Sequence, residues 1–384
     1  MMQRLPVALI ANSLGVGGVE RQLITLAGRL DPVRFDVELV PLKDEGGLHE
    51  AAAALPLWSP AARRGIDLGA ARRLSDHLRR RGTRAVMAAN QYATLMLWAA
   101  TAGWRAPLHR LSAFHSSPDL MGSGFGDRLR LAMYGHALRR FDGLIYVSDR
   151  QQQAWQARGL GRGVRSHVIT NGIEVARYPD RTDHAARAAW GWHAGHFVVG
   201  LCAALRPEKR VEDLVEAAAI AMTRGVPVRL LLIGDGPCRP AIEAAAAACL
   251  PAGTLHCAGF QPDVVPFVQA CDAMALVSDT EAFSIAVLEA MACAKPVVLT
   301  DVGGASEQID DGVHGWLVER RRPDQIAGAI ERLWRGDHEA MGRRGRERVL
   351  ERFSMDGMVR RYEDALTPGT TAPRVAAGPQ PAKA

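Results

Sequence analysis

Two glutamates, Glu281 and Glu289, lie eight positions apart in TEAFSIAVLEAMACAKPVV (280–298), a stretch otherwise apolar or small. Carboxylates accept hydrogen bonds, so a pair kept in so greasy a segment suits a ligand rich in hydroxyls. The pair alone does not decide this, because surface carboxylates before and on a helix give the same pattern. Their surroundings say more. AMALVS (273–278) reads as a strand, and SIAVLEAMACA (284–294) as a helix with Ser284 in its first turn. The loop 279–283 then lies at the carboxyl end of a parallel strand, where open α/β sheets bind ligands. The backbone N–H groups of Phe283, Ser284 and Ile285 are expected to be unpaired at that helix start and to favour an anion. A carboxylate beside an anion site fits a ligand joining phosphate to polyols, as a nucleotide sugar does.

The elements that must position these residues alternate along the whole chain. Apolar runs at 6–12, 35–42, 84–90, 109–114, 143–148 and 166–170 read as strands, with helical patterns between them, among them 19–30, 69–81, 125–140 and 149–158. The charged, Pro- and Gly-bearing segment 174–195 breaks the series and reads as a linker. A second series follows at 197–205, 228–234, 254–260, 273–278, 296–300 and 315–318. Strand–helix alternation of this kind predicts parallel sheets covered on both faces. The expected architecture is therefore α/β, two tandem Rossmann-like domains with a cleft between them. Residues 1–180 form the first and 181–366 the second, followed by a disordered Pro/Ala/Gly-rich tail, 367–384.

Composition agrees. A chain of 384 residues exceeds a single core, and 48% hydrophobic with 23% charged residues is ordinary for a globular protein. No apolar run reaches the roughly 18 residues of a membrane span, and PVALIA (6–11) is too short for a signal-peptide core. The six cysteines contain no C-x-x-C pair, which argues against zinc and for a reducing, cytoplasmic setting. Charge is uneven: residues 1–180 carry 24 Lys and Arg against 15 Asp and Glu. Such asymmetry points to an anionic partner of the first half. Only four of the 47 cations are lysine, so the lysine at 209 stands out.

Several short motifs fall in a fixed order: GVGGVE (15–20), AFH (113–115), NGI (171–173), LRPEK (205–209), IGDGP (233–237), TEAFSIAVLE (280–289) and VGGASEQI (302–309). The ordered set resembles the retaining glycosyltransferases of family 4, over about residues 8–365. That resemblance implies the GT-B fold, with a C-terminal helix (354–366) crossing back to the first domain. It also implies residue roles. Glu281 would contact hydroxyls of the donor sugar, Glu289 the ribose, and His115 the sugar, while Gly17 and Gly18 let the backbone approach the diphosphate. Asn171, Arg206, Lys209, Phe283, Ser284 and Ile285 complete the donor site, and Gly259 and Phe260 lie near the base. Glu281, His115 and Lys209 are the expected catalytic residues. The family pattern places an arginine five positions before the lysine. Here that position is Ala204, and Arg206, two residues on and on the same face of a strand, is the candidate replacement.

The implied reaction is transfer of a sugar from a nucleotide-sugar donor, UDP-linked by family frequency rather than GDP-linked, to a glycan or lipid-linked acceptor in envelope polysaccharide or glycolipid synthesis. Neither a cofactor nor a nucleic-acid partner is expected. The chain has no D-x-D motif, so cations rather than a metal are expected to meet the leaving diphosphate. A dehydrogenase reading rests on G-x-G-G after the first strand and Glu38 about twenty residues on, but lacks the third glycine. A nucleotide-sugar epimerase of the same fold and a non-catalytic sugar-binding protein are the alternatives. Finally, residues 63–84 hold eight arginines. A helical wheel turns Leu68, Ala71, Leu74 and Leu78 inward and Arg72, Arg73, Arg79 and Arg80 outward. Arg128, Arg130, Arg139 and Arg140 follow beside the acceptor loop 116–127. Peripheral docking of this half on an anionic membrane is the corresponding expectation.

Overall fold

The computed structural model describes residues 4–15, 17–63, 65–120, 124–183 and 185–369. Arg64, residues 121–123 of the acceptor loop and the tail from 370 lie outside the described residues. The first sheet contains β1 (Leu5–Ala11), β2 (Phe35–Pro41), β3 (Ala85–Ala89), β4 (His109–Phe114), β5 (Gly143–Tyr146) and β6 (Ser166–Val168). They run parallel in the order β2-β1-β3-β4-β5-β6. Helices α1 (Gly18–Arg29), α2 (Leu68–Arg81), α3 (Asn90–Thr101), α4 (Phe125–Leu138) and α5 (Asp149–Ala157) connect them.

The second sheet contains β7 (Phe197–Cys202), β8 (Val228–Ile233), β9 (Leu255–Gly259), β10 (Ala273–Leu276), β11 (Val297–Thr300) and β12 (Gly315–Val318). They run parallel in the order β12-β11-β10-β7-β8-β9. Its helices are α6 (Val211–Thr223), α7 (Arg239–Cys249), α8 (Val265–Gln269), α9 (Ile285–Ala292), α10 (Ala305–Gln308), α11 (Pro323–Arg335) and α12 (His338–Arg352). All twelve expected strands are present; the central ones are short apolar runs buried on both faces by crossover helices, while the edge strands β6 and β9 are partly exposed. Helix ends follow local chemistry. The Asp67 side chain caps α2 by accepting from the Ala70 amide, and Gly82, at φ 69°, ends it in the left-handed conformation.

The last helix, α13 (Met355–Leu366), returns to the first domain as expected. Met355, Met358, Tyr362 and Leu366 join the cluster formed by Val7, Leu9 and Leu26. Glu363 accepts from Arg34 at 2.7 Å and from the Asp31 amide at 2.8 Å.

Segment 174–195, read as a linker from its charge, is instead built into the second domain. Val175, Tyr178 and Trp192 are buried against β7, β8 and β10. Arg187 is fully buried, its guanidinium donating to the Asp272 carboxylate and the Ala270 carbonyl, both at 2.7 Å. A buried cation is tolerated only with such partners, and nothing in the local sequence announces a partner 85 residues away.

Candidate functional site

In each sheet the chain reverses direction of growth at one place, and open α/β sheets bind ligands outside the strand ends there. In the second sheet that place lies between β7 and β10, which pair at Ala273–Val199 and Met274–Gly200. Lys209 follows β7 and Glu281 follows β10, so the topology alone brings them together. The Lys209 ammonium donates to Glu281 Oε1 at 2.5 Å. The Ser278 hydroxyl donates to the same oxygen at 2.7 Å. The two loops are tied at the backbone by the Asp279 amide, which donates to the Glu208 carbonyl at 2.8 Å. Arg321 grips the Asp279 carboxylate with two nitrogens, which lowers the pKa of that acid.

Gly303 supports the Glu281 loop from behind. At φ +50° it is in the left-handed region, and a Cβ there would lie 1.8 Å from the Glu281 carbonyl oxygen. This explains a glycine in VGGASEQI without any contact to ligand.

Glu289 lies inside α9 and accepts from the Tyr178 hydroxyl at 2.9 Å. Burial raises its carboxyl pKa, opposed by the Tyr178 hydrogen bond and by the charges of Arg21 and Arg177. Burial also pushes the neighbouring Cys202 thiol up to about 12, with Glu289 adding to the rise and Arg21 and Lys209 opposing it. Cys202, Glu289, Lys209 and Arg21 thus share one electrostatic neighbourhood. Arg21 comes from the opposite domain, at the exposed start of α1. The glycine loop before it reaches the same place: a Cβ on Gly18 would lie 3.2 Å from the Ile285 side chain. Gly17 is extended, at φ −152°, so its backbone needs no glycine.

Two expectations change, for Ser284 and for Arg206, and Asn171 gains a partner that sequence did not show. Ser284 is the N-cap of α9, but its amide is engaged, donating to the Gln308 side chain at 3.3 Å while Gln308 donates back to the Ser284 carbonyl at 2.7 Å. It is therefore not an unpaired anion donor. The strand before Lys209 ends at Cys202, so Ala204 and Arg206 are not two residues on one strand face. Both are exposed on the turn leading to Pro207–Lys209. Asn171 is buried and donates its side-chain amide to the Phe283 carbonyl at 2.8 Å, joining the two domains.

His115 follows β4, its amide donating to Asn90 Oδ1 at 3.3 Å. Its Nε2 is enclosed without a protein partner, and burial pushes its pKa down to about 4. The ring is neutral at neutral pH. Phe260, just past β9, is 55% exposed. Glu38 sits within β2, buried against His77 Nε2 at 2.8 Å, a structural pair rather than a ribose ligand. Tyr178, Arg21, Ser278 and Gln308 were not among the residues singled out from sequence. Arg21 directly follows GVGGVE and was within reach of motif reading, whereas Tyr178 carries no local signal.

Two parallel-sheet domains facing across a crevice, with cations and carboxylates at the strand ends of the second, define the GT-B class of glycosyltransferases. The first half matches the family model Glycosyltransferase Family 4 over residues 16–177, and the second half the model Glycosyl transferases group 1 over residues 183–348. The chain belongs to this family.

Among curated relatives, a D-inositol 3-phosphate glycosyltransferase of Rhodococcus erythropolis is 28% identical over 73% of this chain and 69% of its own. The N-acetyl-alpha-D-glucosaminyl L-malate synthase of Bacillus anthracis is 36% identical over 41% of this chain and 42% of its own. The crystal structure of Anabaena HepE with UDP-glucose has a TM-score of 0.81 at 22% identity, covering 94% of this chain and 99% of that one, a likeness of fold.

Proposed function

We propose that this glycosyltransferase moves a sugar from a UDP-sugar to a hydroxyl of a glycan or lipid-linked acceptor, with the anomeric configuration retained and no metal ion required. The observation that carries the reading is the Lys209–Glu281 pair at the crevice between β7 and β10. It offers an ammonium to the departing diphosphate and a carboxylate oxygen to the sugar hydroxyls. Glu289, steadied by Tyr178, is suited to the ribose. Structural neighbours solved with UDP and UDP-glucose support the choice of base.

In the proposed step the bond from C1 to the diphosphate breaks and the acceptor oxygen bonds C1 from the same face. The departing phosphate oxygen takes the acceptor's proton, so no side chain is left covalently modified. Lys209, Arg206 and Arg21 stabilise the charge that develops on the diphosphate. His115 is neutral and brings no positive charge to this step.

The setting proposed is the cytoplasmic face of a membrane in envelope glycan or glycolipid synthesis. Among the described residues no helix is long and apolar enough to cross a membrane. Arg72, Arg80, Arg128 and Arg139 are exposed on the first domain, and Leu129 is 56% exposed between Arg128 and Arg130. Leu68, expected to face inward, is 73% exposed and adds an apolar contact to this surface, while Ala70 takes the inward place.

The test is incubation with UDP- and GDP-sugars, with and without lipid acceptors, following nucleotide release and the anomeric configuration of the product. Acceptor-dependent release of UDP with retention is expected. Conversion of the donor to an epimer in water alone would replace the reading with an epimerase.

A further inference from the structure

We propose a second ligand site, on the back of the first domain, for a phosphate carried on a sugar or polyol. A cleft of about 230 Å³ opens there between the C-terminal ends of α3 and α4 and the start of β4. It is lined by Trp98, Thr101, Trp104, Arg110, His136 and Arg140 among others. Arg110 is the second residue of β4 and His115 follows its last, so at ~3.3 Å per residue the cleft lies roughly 16 Å from the catalytic end of the sheet. It is not part of the donor crevice.

The charge in the cleft is unbalanced. Elsewhere Arg34, Arg81, Arg187 and Arg348 each meet a carboxylate. Neither Arg110 nor Arg140 forms an ion pair among the described residues. One Arg110 nitrogen reaches the Arg140 carbonyl at a long 3.4 Å, and its Nε is buried without a partner. Desolvated guanidinium nitrogens lacking partners are costly, and an oxyanion satisfies them with charge-assisted bonds. Asp142 does not supply this, because its carboxylate accepts from the Arg110 backbone amide at 2.7 Å instead.

The aromatic residues point to what carries the anion. Trp98 and Trp104 are half-buried, and His136 meets Trp98 edge-on at 5.9 Å. Arg79 covers one face of Trp104, 4.9 Å from the ring, and Ser75 holds its indole N–H at 2.9 Å. Rings pinned in this way offer flat apolar surfaces for the C–H face of a sugar. The volume falls below the ~300–1,000 Å³ usual for larger ligands, which suits one ring and one phosphate rather than a whole nucleotide sugar. Such a phosphate has two sources, a soluble sugar phosphate or a lipid headgroup.

Calorimetric titration of the full chain with glucose 1-phosphate, glucose and inorganic phosphate tests this, alongside flotation with phosphatidylinositol and phosphatidylcholine vesicles. The variants are Arg140→Glu, at an exposed position, and Lys209→Ala, which weakens the donor crevice. Glucose 1-phosphate or phosphatidylinositol vesicles should bind the wild type and Lys209→Ala alike. Arg140→Glu should bind at least about tenfold more weakly. Binding of the soluble ligand identifies a metabolite, and binding of vesicles alone a headgroup. Loss in Lys209→Ala with retention in Arg140→Glu would place the ligand in the donor crevice and overturn the proposal. So would binding by neither probe, or inorganic phosphate binding as tightly as glucose 1-phosphate.

Discussion

Asn171, at the end of the first domain, donates its side-chain amide to the backbone carbonyl of Phe283 in the second, 2.8 Å away and buried. A residue that sequence placed against the ligand therefore joins the loop carrying Glu281 to the opposite domain. Asn171→Ala should lower stability by about 1–3 kcal/mol, because the Phe283 carbonyl is left buried and unpaired. Asn171→Asp should be worse, since a carboxylate has no N–H to donate. Urea unfolding measures both. A raised KM for the donor with unchanged stability would return Asn171 to the ligand.

Lys209→Ala is expected to lower kcat by ~10²–10³, the usual cost of losing one donor to a developing oxyanion. Its pair with Glu281 is partly exposed, so stability should change by no more than about 1 kcal/mol. In the proposed mechanism cations carry the charge, so activity should survive excess EDTA. Inhibition by EDTA that added metal reverses would contradict the metal-independent mechanism.

Glu281→Gln should lose turnover and sugar discrimination while UDP still binds, and Glu289→Ala should weaken UDP itself. Titrating both variants with UDP separates the roles, and equal losses would mean they are misassigned. Glu289 carries a further signature. Its pKa is raised by burial, so its contribution to stability is present at low pH and falls as pH rises through that value. Glu289→Gln removes the penalty, and at pH 7 it should melt no lower than the wild type despite binding donor less well.

His115 titrates in the other direction. With its pKa pushed down to about 4 by burial, the fold takes up the proton less readily than the unfolded chain. Stability from this group is present above the ordinary value near 6.5 and is lost as pH falls from there toward 4, by up to about 3 kcal/mol. Ring proton NMR of the wild type against His115→Gln should reveal a histidine that stays neutral through pH 6. A His115 signal titrating near 6.5 would show that the ring is exposed to water.

Docking of the first domain on a membrane is tested by sedimentation with vesicles. Binding should require anionic lipid and fade with salt, and Arg128→Glu with Arg130→Glu should weaken it by about thirtyfold or more, each cation contributing on the order of 1 kcal/mol. Arg73 and Arg79 matter less here, because Arg73 donates to the Pro60 carbonyl and Arg79 lies over Trp104. Binding indifferent to lipid charge and salt would leave only a soluble basic surface.

The sequence by itself determined the architecture and the strand ends that carry the candidate site. Apolar runs that pack as interior parallel strands are a local property, and so are the glycine turns and the lysine following β7. Even the meeting of Lys209 with Glu281 follows from two strand ends lying side by side, once the order of strands is known. What tertiary structure decided is how each polar group is satisfied. Tyr178 reaches Glu289 across 111 residues, Asn171 reaches Phe283 across 112, and Gln308 takes the Ser284 amide that a helix start leaves open. The unpartnered Nε of Arg110 likewise appears only when α3, α4 and β4 are assembled around it. A buried polar group costs free energy unless partnered. Which partner it finds depends on how helices and loops from distant parts of the chain come to rest, a relation that no spacing along the sequence encodes.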